Sequence, residues 1–195
     1  MTILVWNVRD LNLKERRRDV KNHIHTLSPS IVGLVETKVR PTKAYRVNKA
    51  IPHGWQFVNK YECSNKGRIW LCRNASIWLC IVLSVSLQQI TIQATNKRGL
   101  AIIMSGVYGE NWISQREALR DDLKLINHSH GQKPWTILGD FNTARFINEK
   151  LGGNRLTLNL RALMNLLMIV IYLTLEALEI IGLGTTTPRV RAEYW

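Results

Sequence analysis

Thr136-Ile137-Leu138-Gly139-Asp140-Phe141-Asn142 is a short apolar run that ends on a glycine, a carboxylate and an amide. Its β-branched residues predict a strand over 136–138, and a strand end holds side chains rigidly while the adjoining loop leaves room for a ligand. Working backwards, Ser114 stands three residues before Glu117 as in a capping box, which predicts a helix over 114–127. The apolar run 101–108 predicts a strand before that helix. The start of the chain has the same rhythm. Residues 2–8 read as a strand, 13–27 as a helix with Val20, Ile24 and Leu27 at helical spacing, and 31–35 as a buried strand running into Glu36. Ser28-Pro29-Ser30 stops the helix. Between these two β-α-β units lie a basic stretch, helical or irregular, at 41–52 and then predicted strands at 55–61, 69–72, 77–86 and 88–95. The reading is an α/β chain with antiparallel strands in its middle and no internal repeat.

At 195 residues and 46% apolar content the chain supports one core. Twenty-seven Lys and Arg against fourteen Asp and Glu leave a net charge of +13, which attracts polyanions and makes nucleic acid the leading partner. Residues 1–150 hold 23 of the basic and 11 of the acidic side chains, so the polyanion-binding surface is expected there. Cys63, Cys72 and Cys80 are odd in number, with no C-x-x-C spacing and no nearby His pair. That excludes a disulfide framework and a zinc site, and all three are expected to be reduced and buried. Met1-Thr2-Ile3-Leu4-Val5-Trp6 reads as a strand from the outset rather than as a signal peptide, which implies a nuclear or cytoplasmic protein. The uncharged stretch 162–175 is shorter than the ~20 residues a bilayer span needs, so stable membrane insertion is not expected.

Four strand ends carry polar groups: Asn7, Glu36, Tyr108 with Asn111, and Asp140 with Asn142. Each alone is an ordinary turn residue. Together they offer carboxylates and amide oxygens suited to a hard cation such as Mg²⁺, with Glu36 and Asn7 as its ligands. Asp140 is placed to take a proton from an attacking water, with Asn142 fixing its orientation.

Val5-Trp6-Asn7-Val8, Val35-Glu36-Thr37-Lys38, Val107-Tyr108-Gly109-Glu110-Asn111 and Ile137-Leu138-Gly139-Asp140-Phe141-Asn142 occur in the order of the endonuclease/exonuclease/phosphatase superfamily, which the chain resembles over 1–154. Gly67-Arg68-Ile69-Trp70 and Pro134-Trp135 narrow the resemblance to the apurinic-endonuclease-like domain of plant non-LTR (LINE-type) retrotransposons. The resemblance implies a DNase I-like four-layer α-β-β-α sandwich, incomplete at the C-terminus, with the site at one rim between two sheets. It also implies Mg²⁺-dependent DNA cleavage, with Mn²⁺ as an alternative ion. By the same analogy Asn7 and Glu36 sit at the metal, Tyr108 and Asn111 contact the scissile phosphate, and Asp140 with Asn142 handles the nucleophilic water. A phosphoinositide or nucleotide phosphomonoesterase is the rival within the superfamily, and the retrotransposon motifs argue against it.

The sequence departs from the family pattern at three places. Arg9 stands where many relatives have an Asp, and Asp10 where a Gly is usual, at a backbone position expected to need φ > 0. Asp10 is also a candidate replacement carboxylate. No His follows His130, so the Asp and the Asp-His pair that end the family's domain are absent. This predicts weak or no activity, with a catalytically dead nucleic-acid-binding remnant as the alternative, and unpaired sheet edges that lower solubility. Residues 155–195 read as an aberrant apolar tail, with a buried helix over 163–183 as the plain alternative. Permissive codons for residues 164–188, read two bases later, spell an acidic-Cys, Asp-Leu, Gly, Trp-x-Trp-Asn-Asn series like the family's. A frame shift between Asn154 and Met164 is therefore predicted, making 163–195 an accidental peptide. Sequencing the genomic DNA checks it: an alternative frame downstream of Asn154 is expected to encode the missing Asp and His, and a frame without them rejects the shift.

Overall fold

The computed structural model describes residues 2–142 and 179–183, the last five through their backbone. Near-continuous apolar runs in the first and seventh strands signal strands covered on both faces, and both are. In β1 (Thr2–Asn7) Ile3 and Val5 point into the space between two sheets while Leu4 points outward beneath a helix. In β7 (Ala101–Tyr108) Ile102 and Met104 point inward and Ile103 and Val107 outward.

One sheet is built from β1, β2 (Ile31–Val39), β3 (Trp55–Asn59), β4 (Gly67–Asn74) and β9 (Glu179–Leu183), in the order β3-β4-β2-β1-β9. The other has the order β5-β6-β7-β8, from β5 (Trp78–Val85), β6 (Gln89–Asn96), β7 and β8 (Trp135–Asp140). β1 pairs in parallel with β2, and β7 with β8, each pair joined by a helix, while the middle strands pair antiparallel. Helix α1 (Lys14–Leu27) buries Val20 and Ile24 on the first sheet, and the short α2 (Tyr45–Asn48) adds Val47 to the same cluster. Helix α3 (Arg116–His130) buries Leu119, Leu123 and Ile126 against Ile103, Val107 and Trp135 of the second. The four layers and their DNase I-like arrangement match the expectation. Gly106 allows a close approach of the two sheets: a Cβ there would lie 2.9 Å from Leu71 Cδ2 across the interface.

Beneath α3 the outer face of the second sheet carries a buried polar relay. Thr91 Oγ1 donates to Gln89 Oε1 (2.6 Å) or shares a proton with Ser105 Oγ (2.6 Å), and Trp135 Nε1 donates to Ser105 Oγ (2.9 Å). Such groups are stable inside a protein only when paired in this way.

Several expectations are corrected. Ser114 does not cap α3 with its side chain: the helix starts at Arg116, whose N–H donates to the Trp112 and Ile113 carbonyls, so a preceding turn already satisfies the first donors. The helix also runs on to His130. Cys72 is buried, but Cys63 lies exposed in the polar turn after β3, and Cys80 is half-buried. Burial pushes the Cys72 thiol up to about 12. Residues 179–183 form a strand, not the end of a helix, because they pair in parallel with β1 from Thr2↔Glu179 to Trp6↔Leu183. The boundary expected at 154/155 and the rest of the tail lie outside the described residues. Among the described residues no helix is long and apolar enough to cross a membrane.

Lys60, just after β3, is 1% exposed. Burial, and then the nearby Arg68 guanidinium, lower its ammonium to about 8 from an ordinary 10.5, although Glu110 pulls the other way. Below about pH 8 both folded and unfolded chains carry the proton, and the full penalty of burying the charge is present. Between 8 and 10.5 only the unfolded chain holds the proton, so stability climbs with pH, and above 10.5 the penalty is gone. Lys60→Met is therefore expected to be more stable than the parent by about 2–3 kcal/mol at pH 7. Urea denaturation across this pH range checks it, the difference shrinking as pH approaches the ordinary lysine value.

Candidate functional site

β1 and β8 lie in different sheets, yet their C-terminal ends meet. Asn7 Nδ2 donates to Asp140 Oδ2 at 2.7 Å, joining the two sheets at one rim. The other carboxylate oxygen, Oδ1, accepts the Asn142 N–H at 2.8 Å. Asn142 in turn donates through Nδ2 to the Gly109 carbonyl. Asp140 is thus fixed from both sides, and an ionised carboxylate with about four acceptor positions still has room for a water. Asn7 Oδ1 accepts the Arg9 N–H at 3.2 Å and keeps a second lone pair.

Gly139 is required for this placement. Its φ is +145°, and a Cβ there would stand 2.0 Å from the Val107 carbonyl oxygen, so any other residue would push β8 off β7 just before Asp140. Tyr108 is the β7 residue paired with Asp140, which puts the phenol and the carboxylate side by side. Asn111 is exposed, and its backbone carbonyl accepts a hydrogen bond from Arg116 Nη1 at 2.9 Å. The structure therefore joins Asn7, Asp140, Asn142 and Tyr108 and leaves the Asn111 side chain outside that network.

Glu36 reaches the rim through an irregularity in β2. Val35 pairs with Ile69 and Val39 with Gly67, so the residues between them bulge, and Glu36 and Lys38 both adopt φ +55°. The loop after β1 follows that bulge, with Val8 N–H on the Val35 carbonyl (3.0 Å) and Leu11 N–H on the Thr37 carbonyl (2.9 Å). Because Asn7 is in register with Val35, the bulge puts Glu36 next beyond the end of β1. Its carboxylate meets Lys38 Nζ at 3.0 Å, and that hydrogen bond is the main reason the Lys38 ammonium is raised. Asp10, at φ +116°, has the left-handed backbone expected for a position that is usually Gly. Its Oδ1 accepts the Asn12 N–H (2.8 Å) and Asn12 Nδ2 (2.7 Å), so this carboxylate stiffens the loop.

Three residues next to the site are not marked as functional by sequence reasoning. Arg68, from β4 of the first sheet, stacks its guanidinium 5.1 Å from the Tyr108 ring centre and donates Nη1 to Glu110 Oε1 at 2.7 Å. Lys38 covers Glu36. Arg116 Nη1 donates to the Glu110, Asn111 and Asn142 carbonyls, tying the loops after β7 and β8 together. The signal for Arg68 lay in its place in Gly67-Arg68-Ile69-Trp70, but its partner is on the other sheet. Among the described residues no three His, Cys, Asp or Glu side chains converge as a metal cluster. Carboxylate and amide oxygens are the donor types that Mg²⁺ takes, with several waters kept.

No protein-family model matches the sequence, and comparison with curated proteins gives no match. Solved structures do match in three dimensions. An AP endonuclease from Leishmania major aligns with TM-score 0.61 at 14% identity, covering 85% of this chain and 65% of that one. An endonuclease/exonuclease/phosphatase family protein from Bacteroides thetaiotaomicron aligns with TM-score 0.54 at 15% identity, covering 72% and 62%. Humanized D. rerio TDP2 gives TM-score 0.54 at 16% identity, covering 73% and 62%. The chain thus spans a little under two thirds of the length of each. By fold it is a DNase I-like α/β sandwich, built on the same frame as an AP endonuclease and an endonuclease/exonuclease/phosphatase family protein.

Proposed function

We propose that the chain is a phosphodiester hydrolase of nucleic acid, with DNA as substrate and a retrotransposon endonuclease as its origin. The observation that carries this is the Asn7–Asp140 hydrogen bond, which brings a carboxylate held in one orientation to the rim where the Tyr108 phenol also lies. Asp140 accepts the proton of a water, and Asn142 and Asn7 keep its two oxygens aimed while it does so. Tyr108 offers a hydroxyl to a phosphate oxygen, and Asn111 stands in the next loop as a second donor. Glu36 and the Asn7 amide oxygen would hold Mg²⁺, or Mn²⁺ in its place. That ion supplies charge neutralisation on the phosphate and a more acidic water. The net charge of +13 favours a polyanionic substrate over a small phosphomonoester. Resemblance to an AP endonuclease fold supports the same reading.

A second reading is a nucleic-acid-binding protein without catalysis. The Lys38 ammonium on Glu36 favours it, because it supplies a positive charge where the metal would sit.

Purified chain incubated with supercoiled plasmid and Mg²⁺ is expected to nick slowly, because the family's C-terminal Asp and His are absent, and a chelator to abolish the nicking. Glu36→Gln and Asp140→Asn are each expected to lower the nicking rate by about 10²-fold or more. Unchanged nicking in both variants overturns the site assignment. Absence of nicking with salt-dependent DNA binding intact establishes the second reading.

A further inference from the structure

Arg68, Lys60 and Glu110 form a cluster in which two cations share one carboxylate. Lys60 is fully buried, so water does little to screen its charge. The Arg68 charge is near enough to help lower the Lys60 ammonium; its side chain is 22% exposed and that of Glu110 31%. Glu110 is held in place by its own N–H, which donates to Gln88 Oε1 at 2.8 Å. Gln88 is buried and anchored in turn through Nε2 to the Gln115 carbonyl at 2.7 Å. The arrangement is rigid, partly desolvated and carries one positive charge too many. Among the described residues the Arg68 guanidinium meets Glu110 through Nη1 and the Tyr108 ring through its face, which leaves the donors on Nη2 and Nε. A planar fork of that kind matches two oxygens of a phosphate.

We infer that Arg68, backed by the buried charge of Lys60, is an anion subsite beside Tyr108 that takes a second backbone phosphate of the nucleic-acid strand. The inference rests on the reading of the rim as a phosphodiesterase site. Arg68 lies over the Tyr108 ring and Tyr108 is paired with Asp140, so a phosphate held by Arg68 would sit at the same rim. Glu110 has a definite part in this. It keeps the guanidinium over Tyr108 when no strand is bound, and it offsets part of the positive charge, so it orients the subsite and weakens it together.

The test is the salt dependence of binding to a short fluorescent DNA duplex, followed by anisotropy with chelator present so that no cleavage occurs. Arg68→Met is expected to lower affinity on the order of tenfold at low salt and to reduce the slope of log affinity against log salt by about 0.9, one lost phosphate contact. Arg68→Lys is expected to keep the slope. Glu110→Gln is expected to tighten binding, because it removes the competing anion. Lys60→Met is expected to weaken binding by a smaller factor while raising thermal stability, a combination that general damage to the fold does not produce. An unchanged slope in Arg68→Met overturns the subsite, as does weaker binding in Glu110→Gln, which marks the ion pair as a structural tie. Should Arg68→Met fail to fold by circular dichroism, Glu110→Gln and Lys60→Met decide the matter through the same directions. Loss of the phosphodiesterase reading itself would appear in the plasmid assay with Glu36→Gln and Asp140→Asn and leave these binding measurements unaffected.

Discussion

The hydrogen bond between Asn7 and Asp140 is where two otherwise separate halves of the molecule are brought into register. Each sheet is covered by its own helix and has its own β-α-β unit, and the apolar layer between them is non-directional: it holds the sheets together without choosing which strand ends face each other. The Asn7–Asp140 bond is directional, and it falls at the ends of β1 and β8. Asn142, Gly109 and Arg116 are arranged around it through bonds of their own, and Tyr108 is in register with Asp140. A charged acceptor in a half-buried setting makes this bond stronger than a neutral pair in water would be. The candidate chemistry therefore belongs to the junction between the sheets, and neither sheet contains it alone.

The backbone around this junction is held away from its ordinary wells. Arg9, Asp10, Glu36, Lys38 and Asn142 all have φ between +50° and +116°, none of them glycine. Each such residue costs about 1 kcal/mol or more relative to a relaxed conformation and persists only where its surroundings over-determine it. They are over-determined here by the bulge in β2, by the loop bonds from Val8 and Leu11, and by the Asp10–Asn12 pair. That strain gathers where the polar side chains gather, and the rest of the described chain shows only Ser28 among its non-glycine residues with positive φ.

Much of this was legible in the sequence for a simple reason. Ile3 to Val5, Ile31 to Val35 and Ile102 to Met104 are apolar runs too continuous for a surface strand, and polar groups that end such runs emerge at the same edge of a parallel pair. Asn7, Glu36, Tyr108 and Asp140 were found on that logic together with the motif order. The left-handed Asp10 was legible because a glycine is usual there. Contacts made across the sheets were not legible: Arg68 reaches Tyr108, and Lys60 is buried, through packing that no local pattern encodes. Nor was the Glu36–Lys38 pair, because alternation in a regular strand would have set both on one face, without the bulge that curls them together. The capping box at Ser114 failed because a turn took its role, and Cys63 is exposed because residue type alone does not determine burial in a polar turn.

Pairing of β9 with β1 also bears on the order in which the chain can assemble. Ile3 has Ile31 on one side and Ile180 on the other, so one edge of β1 finds a partner nearby in sequence and the other only once residues 179–183 have been made. Until then β1 presents a row of open N–H and C=O groups flanked by apolar side chains on both faces, a template for pairing with any other strand. A nascent or refolding chain of this kind is exposed to intermolecular β-pairing for as long as that contact is outstanding. β9, far from β1 in sequence, is thus the strand that covers this open edge.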